Sequence, residues 1–114
     1  MINIEFSRAE GNISLKMRGH AGYSREGEDI VCAAVSGIFY ALLGFLANEE
    51  SAGLSVSSLA SGNVEIACAE RFSSSMRLAY IGFLQIAMSY PGTARVFETV
   101  WGGEIKAPVN TAIA

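Results

Sequence analysis

The stretch from Gly19 to Ser36, GHAGYSREGEDIVCAAVS, holds the chain's only histidine, His20, its only aspartate, Asp29, and one of its two cysteines, Cys32. A thiol and an imidazole brought together can attack a carbonyl and protonate a leaving amine. The same types could also ligate a metal. A zinc site needs about four ligands, and Cys32, Cys68 and His20 do not make a zinc spacing. A third reading is bland: cysteine is among the most buried residue types and commonly just fills space. Residue chemistry alone leaves the nucleophile and the core filler both open for Cys32. Cys68, expected inward on a strand, is read as filler.

The position of Cys32 favours chemistry. Asp29 is a good N-cap, so the helix begins at Ile30 and the thiol falls in the first turn. There the unpaired N–H groups and the helix dipole favour an anion. The same N–H groups could hold an oxyanion. Ser36 lies one turn below Cys32 on the same face. It either hydrogen-bonds the thiolate or imidazole or bonds back to its own helix. Asp29 could orient His20, but its capping duty competes with that role.

The surrounding elements must position these groups. INIEFSR alternates, with Ile2, Ile4 and Phe6 on one side, and ISLKMR alternates through Ile13, Leu15 and Met17. Gly11-Asn12 between them signals a hairpin. His20 follows the second strand. Ala21 to Glu28 has no period and carries Gly22 and Gly27, so it is expected to be a mobile loop that doubles back. The helix runs to about Ala47. LSVSSLAS and NVEIACAE form a second hairpin through Ser61-Gly62-Asn63, with Val64, Ile66 and Cys68 facing inward. SSSMRLAYIGFLQIAMSY is a second helix, capped by Ser73 or Ser74, with an apolar stripe of Met76, Tyr80, Phe83, Leu84 and Ala87. Pro91-Gly92 stops it, and ARVFETV is a last strand. Residues 101–114 show no period and are expected to be a tail. The order ββαββαβ predicts an α+β domain over 1–114, with a mainly antiparallel sheet and two long helices.

Residues 30–47 carry no charge and approach membrane-spanning length. Their flanks, EGED and NEE, are acidic and offer no basic anchor. Ser36, Gly37, Tyr40 and Gly44 dilute the run. A core helix is therefore expected rather than a span, and it is either sandwiched or covered by a second subunit. With a net charge of −3 and a pI near 5.1, direct nucleic-acid binding is not expected, since that wants a basic face. The N-terminus lacks a charged-then-apolar signal layout, so the expected compartment is the cytoplasm, with reduced thiols.

The segment Gly19-His20-Ala21, Gly27, then Asp29-Ile30-Val31-Cys32-Ala33 and Ser36 closely resembles the signature of the ribosomal-processing cysteine proteases, the Prp or YsxB-like family. The element order is similar from residue 1 to about residue 100, and the tail from Trp101 lies outside the resemblance. The resemblance implies Cys32 as nucleophile and His20 as its partner, with Gly19, Asp29 and Ser36 in support. It also implies a mobile loop gating the site, a cytoplasmic homodimer, and no metal or cofactor. The implied reaction removes a short N-terminal extension from ribosomal protein L-twenty-seven, after a pair of aromatic residues. That would require an apolar groove beside Cys32. Two other functions remain: a non-enzymatic ribosome-associated binding module, and a thiol redox protein that would need Cys68 as resolving cysteine.

Overall fold

The computed structural model describes residues 1–25 and 28–103. Strands β1 (Ile2–Ala9) and β2 (Asn12–Arg18) are joined by Glu10-Gly11. Both joining residues have positive φ, +54° and +81°, the two-residue turn whose twist matches paired strands. Helix α1 covers Ile30–Ala47. Strands β3 (Ser55–Ala60) and β4 (Asn63–Ala69) form the second hairpin. Helix α2 (Ser73–Ser89) and strand β5 (Ala94–Glu98) are the last elements among the described residues. The expected α+β order ββαββαβ is the observed one.

The sheet order is β3-β4-β2-β1-β5. All pairings are antiparallel except β1 with β5, which is parallel and reached by the α2 crossover. Ile2, Ile4 and Phe6 of β1, Ile13, Leu15 and Met17 of β2, and Ile66 and Cys68 of β4 are buried on one face, under the helices. The other face is polar, with Asn3, Lys16 and Arg18 exposed. Cys68 is completely buried, as a space-filling thiol would be, and burial pushes its pKa up.

Helix α1 buries one stripe, Val31, Val35, Phe39, Leu42 and Leu46, against this core. Within the protomer it is not sandwiched: Tyr40 is 67% exposed and Phe45 46%. Gly37 and Gly44 face open space. A close helix–helix approach occurs at Gly82 of α2, where an added Cβ would lie 3.1 Å from Ile38 Cδ1.

Two local expectations change. The N-cap of α2 is Phe72 rather than Ser73 or Ser74, because the 3-10 turn Glu70–Phe72 runs straight into the helix. The Ser75 hydroxyl donates back to the Phe72 carbonyl at 2.8 Å. The stretch expected as a tail begins with a partly buried residue packed against the core: Trp101 stacks on Tyr80 at 5.4 Å and lies 5.6 Å from Phe6. The remainder of that stretch, 104–114, lies outside the described residues.

Candidate active site

Asp29 caps α1 as expected. Its Oδ1 accepts the N–H groups of Val31 at 2.9 Å and Cys32 at 3.0 Å. Its Oδ2 does something the sequence did not suggest, accepting the N–H groups of Tyr23 at 2.8 Å and Ser24 at 3.1 Å. The carboxylate is 5% exposed. Burial alone would raise its pKa, but the four backbone donors outweigh burial and hold it below the ordinary carboxylate value. One side chain thus fixes both the first turn of α1 and the loop before it. Gly27, part of the signature, lies outside the described residues.

The capping bonds revise the expected oxyanion site. The N–H groups of Val31 and Cys32 are already taken by Asp29, and the Ala33 N–H closes the first helical bond to the Asp29 carbonyl. They are not spare donors. The Cys32 sulfur is half-buried and accepts the Ala21 N–H at 3.3 Å.

His20 leaves β2 just after Gly19. Gly19 has φ +92°, and a Cβ there would lie 2.5 Å from the Met1 carbonyl oxygen, so only glycine fits. Its N–H donates to the Gly62 carbonyl at 2.9 Å, tying the end of β2 to the β3–β4 turn. The exposed imidazole lies against that turn, its Nε2 end directed at Gly62.

Cys32 and His20 line one cleft of about 490 Å³. Its α1 wall includes Val35, Ser36, Phe39 and Tyr40, and its other wall runs from Leu59 to Val64. Asp29 and Gly19 border it as well. Leu59 pairs with Val64 and shares its sheet face, yet is 56% exposed. The lining is mainly apolar. The bond to the thiol sulfur comes from the Ala21 backbone, not from the imidazole, and the Asp29 carboxylate faces backbone donors rather than His20. Ser36 lies in the cleft, exposed, with no hydrogen bond to its side chain among the described residues. No group of three His, Cys, Asp or Glu among the described residues could hold a metal ion.

Sequence reasoning missed the contribution of Gly62, Leu59 and Val64. Their hairpin was legible, but its closeness to His20, some forty residues away in the chain, was not.

The fold resembles solved structures. The ribosomal processing protease Prp from S. aureus, in complex with a covalently linked product peptide, superposes with a TM-score of 0.75 at 20% identity, covering 87% of this chain and all of that one. The same protease with a substrate peptide gives 0.70 at 19% identity, with the same coverage. SMU.848 from Streptococcus mutans gives 0.62 at 25% identity, over 87% of this chain and 96% of that one. No curated protein matches the chain by sequence. The family model described as cysteine protease Prp matches residues 1–95, the span that carries Gly19, His20, Asp29, Cys32 and the hairpin facing them. With a match over most of its length, the chain belongs to the Prp cysteine protease family.

Proposed function

We propose that this chain is a cysteine endopeptidase that trims the N-terminal extension of ribosomal protein L-twenty-seven in the cytoplasm, cutting after a pair of aromatic residues. The reading is carried by one observation: Cys32 and His20 line a single apolar cleft in a chain of this family. Phe39, Tyr40, Leu59 and Val64 offer apolar walls suited to aromatic side chains. An acidic chain of net charge −3 also suits a basic ribosomal partner.

The mechanism follows from the two reactive groups. Substrate occupies the cleft between the thiol and the imidazole seated on the β3–β4 turn, and the Cys32 thiol turns from the Ala21 N–H toward that ring. His20 takes the Cys32 proton, and the sulfur attacks the peptide carbonyl carbon. The C–N bond breaks as the imidazolium returns its proton to the departing amine. Water, deprotonated by the same imidazole, then adds to the thioester. The carboxylic acid leaves and the thiol is restored. Asp29 holds the loop and the first turn of α1 in register, and Ser36 offers a hydroxyl one turn below the sulfur. No cofactor enters these steps.

The enzyme is proposed to work as a homodimer. The outer faces of α1 and α2 leave an apolar groove of about 600 Å³ with Leu78, 74% exposed, on its edge. A second copy covering this groove would bury the face of α1 that the protomer leaves open.

The direct test is cleavage of a peptide containing the aromatic pair. Cys32→Ala and His20→Ala each lower the rate by at least about 10³-fold, and Cys68→Ala does not. Full activity of Cys32→Ala overturns the reading. Retained binding to ribosomal particles with no cleavage by the wild type would mark a binding module instead.

A further inference from the structure

The geometry points to Gly62, at the tip of the β3–β4 hairpin, as a positioning residue that holds the His20 imidazole in the cleft for proton transfer. This rests on the peptidase reading above. A Cβ built on Gly62 would lie 2.8 Å from His20 Nε2, 3.3 Å from Cε1 and 3.5 Å from Cδ2. The bare Cα is therefore the surface on which that end of the ring lies. The platform is itself fixed. The Gly62 carbonyl accepts the Gly19 N–H at 2.9 Å, so the residue preceding His20 and the residue beneath its ring are bonded to each other. The Ser58 hydroxyl donates to the Asn63 carbonyl at 2.9 Å and steadies the other side of the turn. The histidine is exposed, and the end of its ring nearest the turn meets a bare Cα rather than a side chain.

The atoms that a Cβ would meet belong to the end of a flexible side chain. A substitution at Gly62 can thus be accommodated by moving the imidazole rather than by breaking the fold. The backbone conformation, φ +74°, adds strain for most residues, and asparagine tolerates it best. Gly11 is a matched control, with φ +81° and nothing within 4 Å of its Cβ position.

The test compares Gly62→Asn with Gly11→Asn and wild type. His20 is the only histidine, so its ring gives one set of imidazole resonances in the NMR spectrum. Gly62→Asn is expected to shift those resonances and to lower kcat by about 10- to 100-fold, the usual cost of misplacing a catalytic group by an ångström. KM changes much less, and thermal stability stays close to that of Gly11→Asn. Gly11→Asn leaves both the resonances and kcat as in wild type. Unmoved imidazole resonances in Gly62→Asn overturn the platform, as does an unchanged kcat. If wild type itself cuts no peptide, the peptidase reading fails separately, and the imidazole resonances alone decide whether Gly62 holds the ring.

Discussion

Asp29 Oδ1 accepts the N–H of Cys32 at 3.0 Å while the other oxygen of the same carboxylate holds the N–H groups of Tyr23 and Ser24. The proposed nucleophile and the loop beside it are therefore anchored to one side chain. The two duties separate by mutation. Asparagine keeps one accepting oxygen and caps a helix as well as aspartate, but its amide cannot accept the loop N–H groups. Asp29→Asn is expected to retain more of the melting temperature than Asp29→Ala while lowering cleavage by roughly tenfold. Asp29→Ala loses cap and loop together and melts lower. Equal cleavage by Asp29→Asn and wild type, measured on the aromatic-pair peptide, would show that the loop bonds are irrelevant to the reaction. The pH dependence has a definite sign. The folded carboxyl titrates below its unfolded value of about 3.9, so its contribution is fully present above that pH and disappears as pH falls through the lower folded value.

Much of this arrangement is visible in the amino-acid order. Alternation marks the buried faces of β1, β2 and β4, because a half-covered strand must switch sides at every residue. Asp29 before an apolar run marks the start of α1. What stays hidden is what depends on distant partners. The parallel pairing of β1 with β5 follows from the α2 crossover and leaves no local trace. Ser73 has the chemistry of a cap, but the 3-10 turn Glu70–Phe72 moves the boundary upstream. Gly37 and Gly44 read as diluting the apolar run and face open space within the protomer, whereas the glycine that Ile38 packs against is Gly82, which nothing in the sequence marks out. In the site, Cys32 and Asp29 are local to one another and legible. The place of His20 depends on a turn in another hairpin.

Gly19 offers a sharper test of the fold around His20. Its positive φ would strain alanine by about 1–3 kcal/mol, and the Cβ would also collide with the Met1 backbone carbonyl. A backbone obstacle cannot rotate away as a side chain can. Gly11→Ala carries the same kind of strain in open space. Denaturant titration is therefore expected to show Gly19→Ala losing more stability than Gly11→Ala, with the difference reporting the Met1 contact. Equal losses would mean that the N-terminus moves aside at little cost.

The open face of α1 makes a prediction about assembly. Leu78 is the most exposed of the large apolar residues beside the α1–α2 groove. In a dimer built on this face, a charge at that position would be buried without a partner, which is strongly unfavourable. Leu78→Glu is expected to sediment as a monomer at concentrations where wild type is dimeric, with an unchanged far-ultraviolet circular dichroism spectrum. A wild-type monomer, or a dimer indifferent to Leu78→Glu, would leave the groove without its proposed occupant.

The last turn of the described chain is held by a second buttressing carboxylate. Glu98 accepts the N–H groups of Val100, Trp101 and Gly103. Burial pulls its pKa up, but these bonds, with a further one from Gly102, hold it below the ordinary glutamate value. They turn the chain so that Trp101 can stack on Tyr80 and reach Phe6, beyond the residues that the family model covers. Glu98→Ala removes the acceptor for the whole turn and is expected to cost on the order of 2 kcal/mol, in line with bonds to a charged group. Trp101 is the only tryptophan, so its fluorescence reports the turn directly. Emission in Glu98→Ala should move to longer wavelength as the ring becomes wetter. In wild type the same change should appear only on acidification. The folded carboxyl titrates below its unfolded value of about 4.3, so the turn is held above that pH and released as pH falls through the lower folded value. Identical emission from Glu98→Ala and wild type would mean that the aromatic stack with Tyr80 and Phe6 holds Trp101 in place without the carboxylate.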